Sequence, residues 1–314
     1  MLRLNNILSF ILILITSVTA VGQDKNKYCI YDQVAVEKYS NKELDEALAY
    51  IDTAINMCED LSKDPYVYHI KGFICYELFK TKDQGDPYSP MRKEAFEAFL
   101  KSNELDVNKE FTDKNTLSLK NICIRIQKNI AQNLDTIHFE EAIKLDRIYH
   151  DAVERSGVNL DLKEHDITFN NMIGSIFVEL YENSKTGRES YVDSAVHYYE
   201  SALKIDTLGF DANKNLGYLY HNLSIDIILA MDPEDDILTM YENQERSSAL
   251  GLKSLPYLKR AHEQQPKNKD VLYGLAGIYF MLQEKEKSDF YQKLYDDLTK
   301  EQKGNGMAPP NNDN

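Results

Sequence analysis

Residues 95–102 read Ala95-Phe96-Glu97-Ala98-Phe99-Leu100-Lys101-Ser102, and the spacing of Ala95, Phe99 and Ser102 decides how the chain folds. Positions i, i+4 and i+7 share one stripe of a helix. The stripe returns as Ala47-Ile51-Ala54 and Ala195-Tyr199-Ala202, and in degenerate form as Ser254-Leu258-Ala261 ahead of Pro266. Small residues at its ends let a second helix come close, and the bulky residue fills the space between. A stripe that recurs marks stacked helical repeats rather than a single-core enzyme. With 13 Gly and 8 Pro in 314 residues, and 28% charged residues, the composition suits long helices with wet outer faces.

The partner of each striped helix is legible too. Lys71-Gly72 is followed by Cys75-Tyr76, Ile173-Gly174 by Phe177, Leu216-Gly217 by Tyr220, and Leu275-Ala276 by Tyr279. Together with the turn Asn41-Lys42-Glu43-Leu44-Asp45-Glu46-Ala47 and the endings Ile205-Asp206 and Pro266-Lys267-Asn268, these residues resemble the tetratricopeptide (TPR) repeat family, in a divergent, exported bacterial form. That family joins a Leu-Gly…Tyr helix to an Ala-x3-Phe helix. The resemblance covers residues 28–299. It is good in the first, second, fourth and fifth helix pairs. It is poor in the third (114–134 with 139–155) and the sixth (270–282 with 285–299). It implies an all-α helical-hairpin solenoid, a TPR-like superhelix of five to six pairs.

The third pair carries the stripes Leu119, Ile122, Ile126, Ile130, Leu134 and Ala142, Leu145, Tyr149, Ala152, which predict helices despite the strand-like run Ile122–Ile126. Ala35 and Ala47 keep the family's short spacing. Gly72 and Ala95, Gly174 and Ala195, and above all Gly217 and Ser254 stand further apart. The extra residues fall near 81–87, 183–187 and 231–236, between the two helices of a pair, and are expected to thicken one edge. Met231–Asp236 reads as a turn capping a lengthened second helix, and Asp211 as a helix cap.

Residues 1–20 read as an export signal: Arg3, an apolar run from Ile7 to Val18, then Val18-Thr19-Ala20 as a cleavage site. The alternative, an uncleaved anchor, is disfavoured because the run is shorter than the ~20 residues a spanning helix needs. No Cys stands at the cleavage point, so the pattern is not that of a lipoprotein. The expected organisation is a signal peptide (1–20), a linker (21–27), the repeat domain (28–299) and a disordered tail (300–314). No later stretch is apolar enough to span a bilayer, and the expected location is periplasmic or secreted.

The formal charge is −15, from 36 Lys and Arg against 51 Asp and Glu. An acidic chain without a compact basic cluster repels phosphate backbones, so nucleic acid is not expected as a partner. Export permits a disulfide between Cys29, opening the first pair, and Cys58, closing it. Four free thiols, with Cys75 and Cys123 packed in apolar stripes, are the alternative. No zinc spacing is present.

No His-Glu-x-x-His, phosphate-binding Gly-rich loop or Gly-x-Ser-x-Gly occurs, so neither catalysis nor a cofactor is expected. The pairs His150/Glu154 and His197/Glu200 read as solvated faces. Asp211-Ala212-Asn213-Lys214-Asn215 fails as a calcium loop, with Leu216 where Gly is required. The family resemblance puts the inner surface on first-helix positions flanking the Leu-Gly pair. Here these are Tyr66, His69, Phe73 and Tyr76; Asn171, Ser175 and Val178; Lys214, Tyr218 and His221; and Tyr273 and Phe280. The set is aromatic, as binding surfaces tend to be. The alternative is that many of them pack into neighbouring helices. The Lys/Asn clamp of some family members is missing, since Asp32 and Val36 occupy its first-repeat positions. The expected function is a non-catalytic scaffold that binds a protein or peptide. The alternative is a helical-repeat protein that binds a small ligand or glycan.

Overall fold

The computed structural model describes residues 29–184 and 188–305; the expected signal peptide (1–20), the linker (21–27) and the end of the tail lie outside them. Among the described residues there are twelve α-helices and no strand. The chain divides into two compact units: one up to Asn133 with Glu140–Leu160, the other Leu134–Phe139 with the chain from Asp161.

The first unit holds α1 (Tyr31–Ser40), α2 (Leu44–Met57), α3 (Pro65–Thr81), α4 (Pro90–Leu105), α5 (Thr112–Gln132) and α6 (Phe139–Ser156). Helices α1 and α2 form one hairpin and α3 and α4 the next; α2 packs on α3, and α4 on α5. The second unit holds α7 (Leu162–Asn183), α8 (Arg188–Ile205), α9 (Phe210–Leu229), α10 (Ile237–Gln264), α11 (Lys269–Met281) and α12 (Lys285–Asn305). Its three hairpins are α7/α8, α9/α10 and α11/α12, and the first helices α7, α9 and α11 lie side by side.

The stripes do what their spacing predicts. Ala47, Ile51, Ala54, Ala95, Phe99, Ser102, Ala195, Tyr199, Ala202, Ser254, Leu258 and Ala261 are all buried. Each bulky stripe residue sits against the small residue of the first helix. A methyl group built on Gly72 would fall 2.5 Å from the Phe99 ring, and one on Gly174 2.7 Å from that of Tyr199. On Gly217 it would meet Leu258 at 2.7 Å. Stripe hydroxyls add bonds to the partner backbone: Ser102 donates to the Pro65 carbonyl (2.8 Å) and Ser254 to that of Gly217 (2.6 Å).

Helix starts follow local chemistry. Asp64 and Ser89 accept backbone amides ahead of Pro65 and Pro90, whose missing N–H would have no partner in a first turn anyway. Asp236 caps α10 by accepting from Thr239 (2.9 Å). Asp211 does not cap α9, contrary to the sequence reading. Gly209 holds that position, and Asp211 lies in the first turn.

One further feature departs from the sequence reading, and a second extends it. The third pair is not a close hairpin, for α5 and α6 do not pack along their length. Neither helix offers a Gly to a bulky partner, so their axes stay apart. The extra residues between Gly217 and Ser254 lengthen α9 and α10 at the facing ends, leaving only a short turn between them. The final helix also runs past residue 299, to Asn305.

Cys29 and Cys58 form a disulfide, with Cα atoms 6.1 Å apart. Cys75 and Cys123 are free and buried. Burial pushes their thiols up to about 12 and about 11. Before α5, the carboxylate of Asp106 accepts from the Glu110, Phe111 and Thr112 amides and the Thr112 hydroxyl, at 2.8–2.9 Å. Burial by itself would raise its pKa. The hydrogen bonds outweigh that and hold it below the ordinary value of 3.8.

Three measurements check this account. Gly174→Ala should lower stability by about 1–3 kcal/mol in urea unfolding, because the buried Tyr199 ring, held through its hydroxyl by Ser175, would have to shift. A stability equal to that of the parent chain would disprove the close contact. Reducing the Cys29–Cys58 bond, which closes a 29-residue separation, should cost about 3–4 kcal/mol on the loop-entropy account. Because folding lowers the Asp106 pKa, its contribution is present above 3.8 and fades as pH falls through the lower folded value. Asp106→Asn should therefore be less stable at pH 7 and lose less on acidification, as pH-dependent thermal melts would record.

Candidate ligand groove in the second unit

Of the proposed inner positions, those in the first unit take packing roles. His69 is only 7% exposed. Its ring lies 4.9 Å from Phe73 and 4.8 Å from Phe111, and Tyr66 stands 5.7 Å from Phe111. The Asn115 amide donates to Ser102 Oγ and to Asn103 Oδ1, both at 2.9 Å. Its carbonyl oxygen is thus the group facing His69 Nδ1 at 2.6 Å, so that nitrogen carries the proton. Burial holds the His69 pKa below its usual value. His69 therefore belongs to a buried polar joint between α3, α4 and α5. Phe73 packs edge-on to Phe99 at 5.2 Å, and Tyr76 is half-buried with Lys80 over its ring.

In the second unit the outcome differs. Helices α7, α9 and α11 bring Ser175, Val178, Lys214, Tyr218 and Tyr273 onto one groove of about 580 Å³. Ser175 Oγ donates to the Asn171 carbonyl (3.0 Å), leaving the Tyr199 hydroxyl as donor to Ser175 Oγ (3.0 Å). The Asn171 side chain does not line the groove, and its Oδ1 is buried without a hydrogen-bond partner among the described residues. Lys214 lies over the Phe210 ring at 5.5 Å and makes no ion pair among the described residues. The Tyr218 hydroxyl donates to the Asp270 carbonyl, tying α9 to α11, and burial raises its pKa. Tyr273 is 56% exposed and stands 5.6 Å from the Tyr295 ring.

Tyr273 also borders a second, more apolar hollow of about 990 Å³, lined by Ile225, Ile228, Leu229, Phe280 and His221 among others. It opens where lengthened α9 and α10 run beside the shorter α11. Phe280 is 77% exposed there, whereas His221 is only 4% exposed. Gly277 leaves room for the His221 ring, whose Nε2 would stand 3.0 Å from a methyl group at that glycine. Burial lowers the His221 pKa, and its Nδ1 makes no hydrogen bond among the described residues.

No known family model matches this chain. No curated protein matches it either. Among solved structures, an IFIT1 monomeric mutant with Gppp-AAAA shares 16% identity at a TM-score of 0.33, covering 84% of this chain and 58% of that one. A human IFIT1 dimer with m7Gppp-AAAA also shares 16% identity, at a TM-score of 0.32, over 89% of this chain and 62% of its own. This chain thus spans less than two thirds of the length of the structures it matches.

Sequence reasoning missed Asn215, Asn222 and Tyr295, which line the same groove. Asn215 and Asn222 are seven residues apart, two turns along one face of α9, and so were legible by periodicity. Tyr295 was not, since it comes from a second helix. Among the described residues no helix is long and apolar enough to cross a membrane.

Proposed function

We propose that this protein is an exported, non-catalytic helical-repeat scaffold that holds an extended segment of a partner protein along the inner side of its second unit. The observation that carries this reading is that the two hollows adjoin, with Tyr273 lining both. One end offers an ammonium on Lys214, unpaired among the described residues, and amides on Asn215 and Asn222. The other offers exposed Phe280, Ile228 and Leu229. A peptide matches both, with polar backbone and carboxylates at one end and apolar side chains at the other. Exposed aromatic rings give wide contact at small entropic loss. Export to the periplasm or beyond rests on the sequence of residues 1–20.

A second reading, a small-ligand or glycan site, draws on the exposed ring of Tyr273 beside Tyr295, a flat surface on which a sugar could stack. The two part on ligand size. A peptide partner needs both hollows, while a glycan needs only the tyrosine end.

Tyr273→Ala and Lys214→Glu should each weaken capture of the partner from envelope extract by about tenfold or more, on the scale of a hot-spot contact. Their melting temperatures should stay near that of the parent chain, as both side chains reach the surface. Undiminished capture by both variants would refute the groove. If Phe280→Ala has no effect while Tyr273→Ala does, the glycan reading is favoured.

A further inference from the structure

A different feature lies in the first unit, between α4 and α6. Arg92, Lys93, Phe96, Glu97, Arg147, Asp151 and Arg155 line a cleft of about 320 Å³ there. Four cations face two carboxylates, in a chain whose net charge is −15. Arg155 uses both carboxylates: it bonds Glu97 at 2.7 Å, reaches Asp151 at 3.6 Å, and stacks over Phe96 at 5.3 Å. The excess of positive charge therefore rests on Arg92, Lys93 and Arg147.

Arg92 is the anomalous member. Its Nε donates to the Pro87 carbonyl at 2.7 Å, which fixes the plane of the guanidinium. The side chain is partly buried, yet no carboxylate lies within ion-pair distance of it among the described residues. Burial lowers its pKa, while Asp86 and Asp151 act on it only through space. A guanidinium that is partly desolvated and has no counter-ion loses hydration without full compensation. Its two terminal NH2 groups make no hydrogen bond among the described residues, although a guanidinium fork suits two oxygens of one anion. Lys93 and Arg147, from the facing helices, are exposed and make no ion pair among the described residues.

We propose that this cleft is a binding site for a tetrahedral dianion of the phosphate class, held by Arg92, Arg147 and Lys93, with Arg155 kept in place by Glu97 and Asp151. The surplus of two positive charges matches a phosphate or phosphomonoester dianion better than a single carboxylate. The site is independent of the groove in the second unit.

The test is calorimetric titration of the purified protein with sodium phosphate and with phenyl phosphate, at constant ionic strength against sodium chloride. Saturable binding of at least one is expected, weakened at least tenfold in Arg92→Met and in Arg147→Ala. Arg147 is exposed, so its variant keeps the test sound if Arg92→Met fails to fold. Equal affinity for the two probes identifies a free-ion site. Tighter phenyl phosphate identifies an ester site. Heat matching that of chloride, or affinity unchanged in Arg147→Ala, would overturn the proposal.

Discussion

The contact between the small residue of each first helix and the bulky stripe residue of the second is the constraint on which the rest of the fold depends. Phe99 against Gly72, Tyr199 against Gly174 and Leu258 against Gly217 bring two helices close enough that the glycine has no room for a methyl group beside the bulky side chain. Close approach fixes which faces of the hairpin remain for its neighbours. Alignment of the first helices in the second unit follows, and with it the groove. Where the contact is missing, between α5 and α6, the helices part. There α4 and α6 instead flank the cleft that Arg92 and Arg155 occupy.

Buried polar groups supply the registration that apolar stripes lack. Asn115 and Asn213 are both fully buried, each at the fourth position of its helix. Asn115 joins His69 to Ser102. Asn213 bonds the Thr207 and Gly209 carbonyls and accepts from Arg260 at 2.8 Å. A hydrophobic contact tolerates sliding, whereas an amide with every donor matched does not.

Much of the fold was legible. The i, i+4, i+7 stripes, Pro65 and Pro90 at helix starts, and the Gly positions are local signals, read within a turn or two of the chain. The same periodicity picked out Ser175, Lys214, Tyr218 and Tyr273, which line one groove of the second unit. It could not tell the packing role of His69 and Phe73 from a groove role, because a first-helix residue faces either a groove or the next helix. That choice was made by Phe111 and Asn115, some forty residues away. Asp211 was misread for a smaller reason: the chain enters α9 two residues earlier, at Gly209.

The sequence by itself determined the helices and every pairing but the third, since the pattern that writes them repeats within each helix, and it supplied the grounds for expecting export. The tertiary structure decided which aromatics line a surface and which fill a core. It left Lys214 and Arg92 without carboxylate partners among the described residues and set two hollows side by side at Tyr273. The physical reason is range. Periodicity encodes which face of a helix is apolar, but the counter-ion, the neighbouring ring and the uncovered stretch of a long helix come from segments distant in the chain. Only folding brings those segments within a few ångströms.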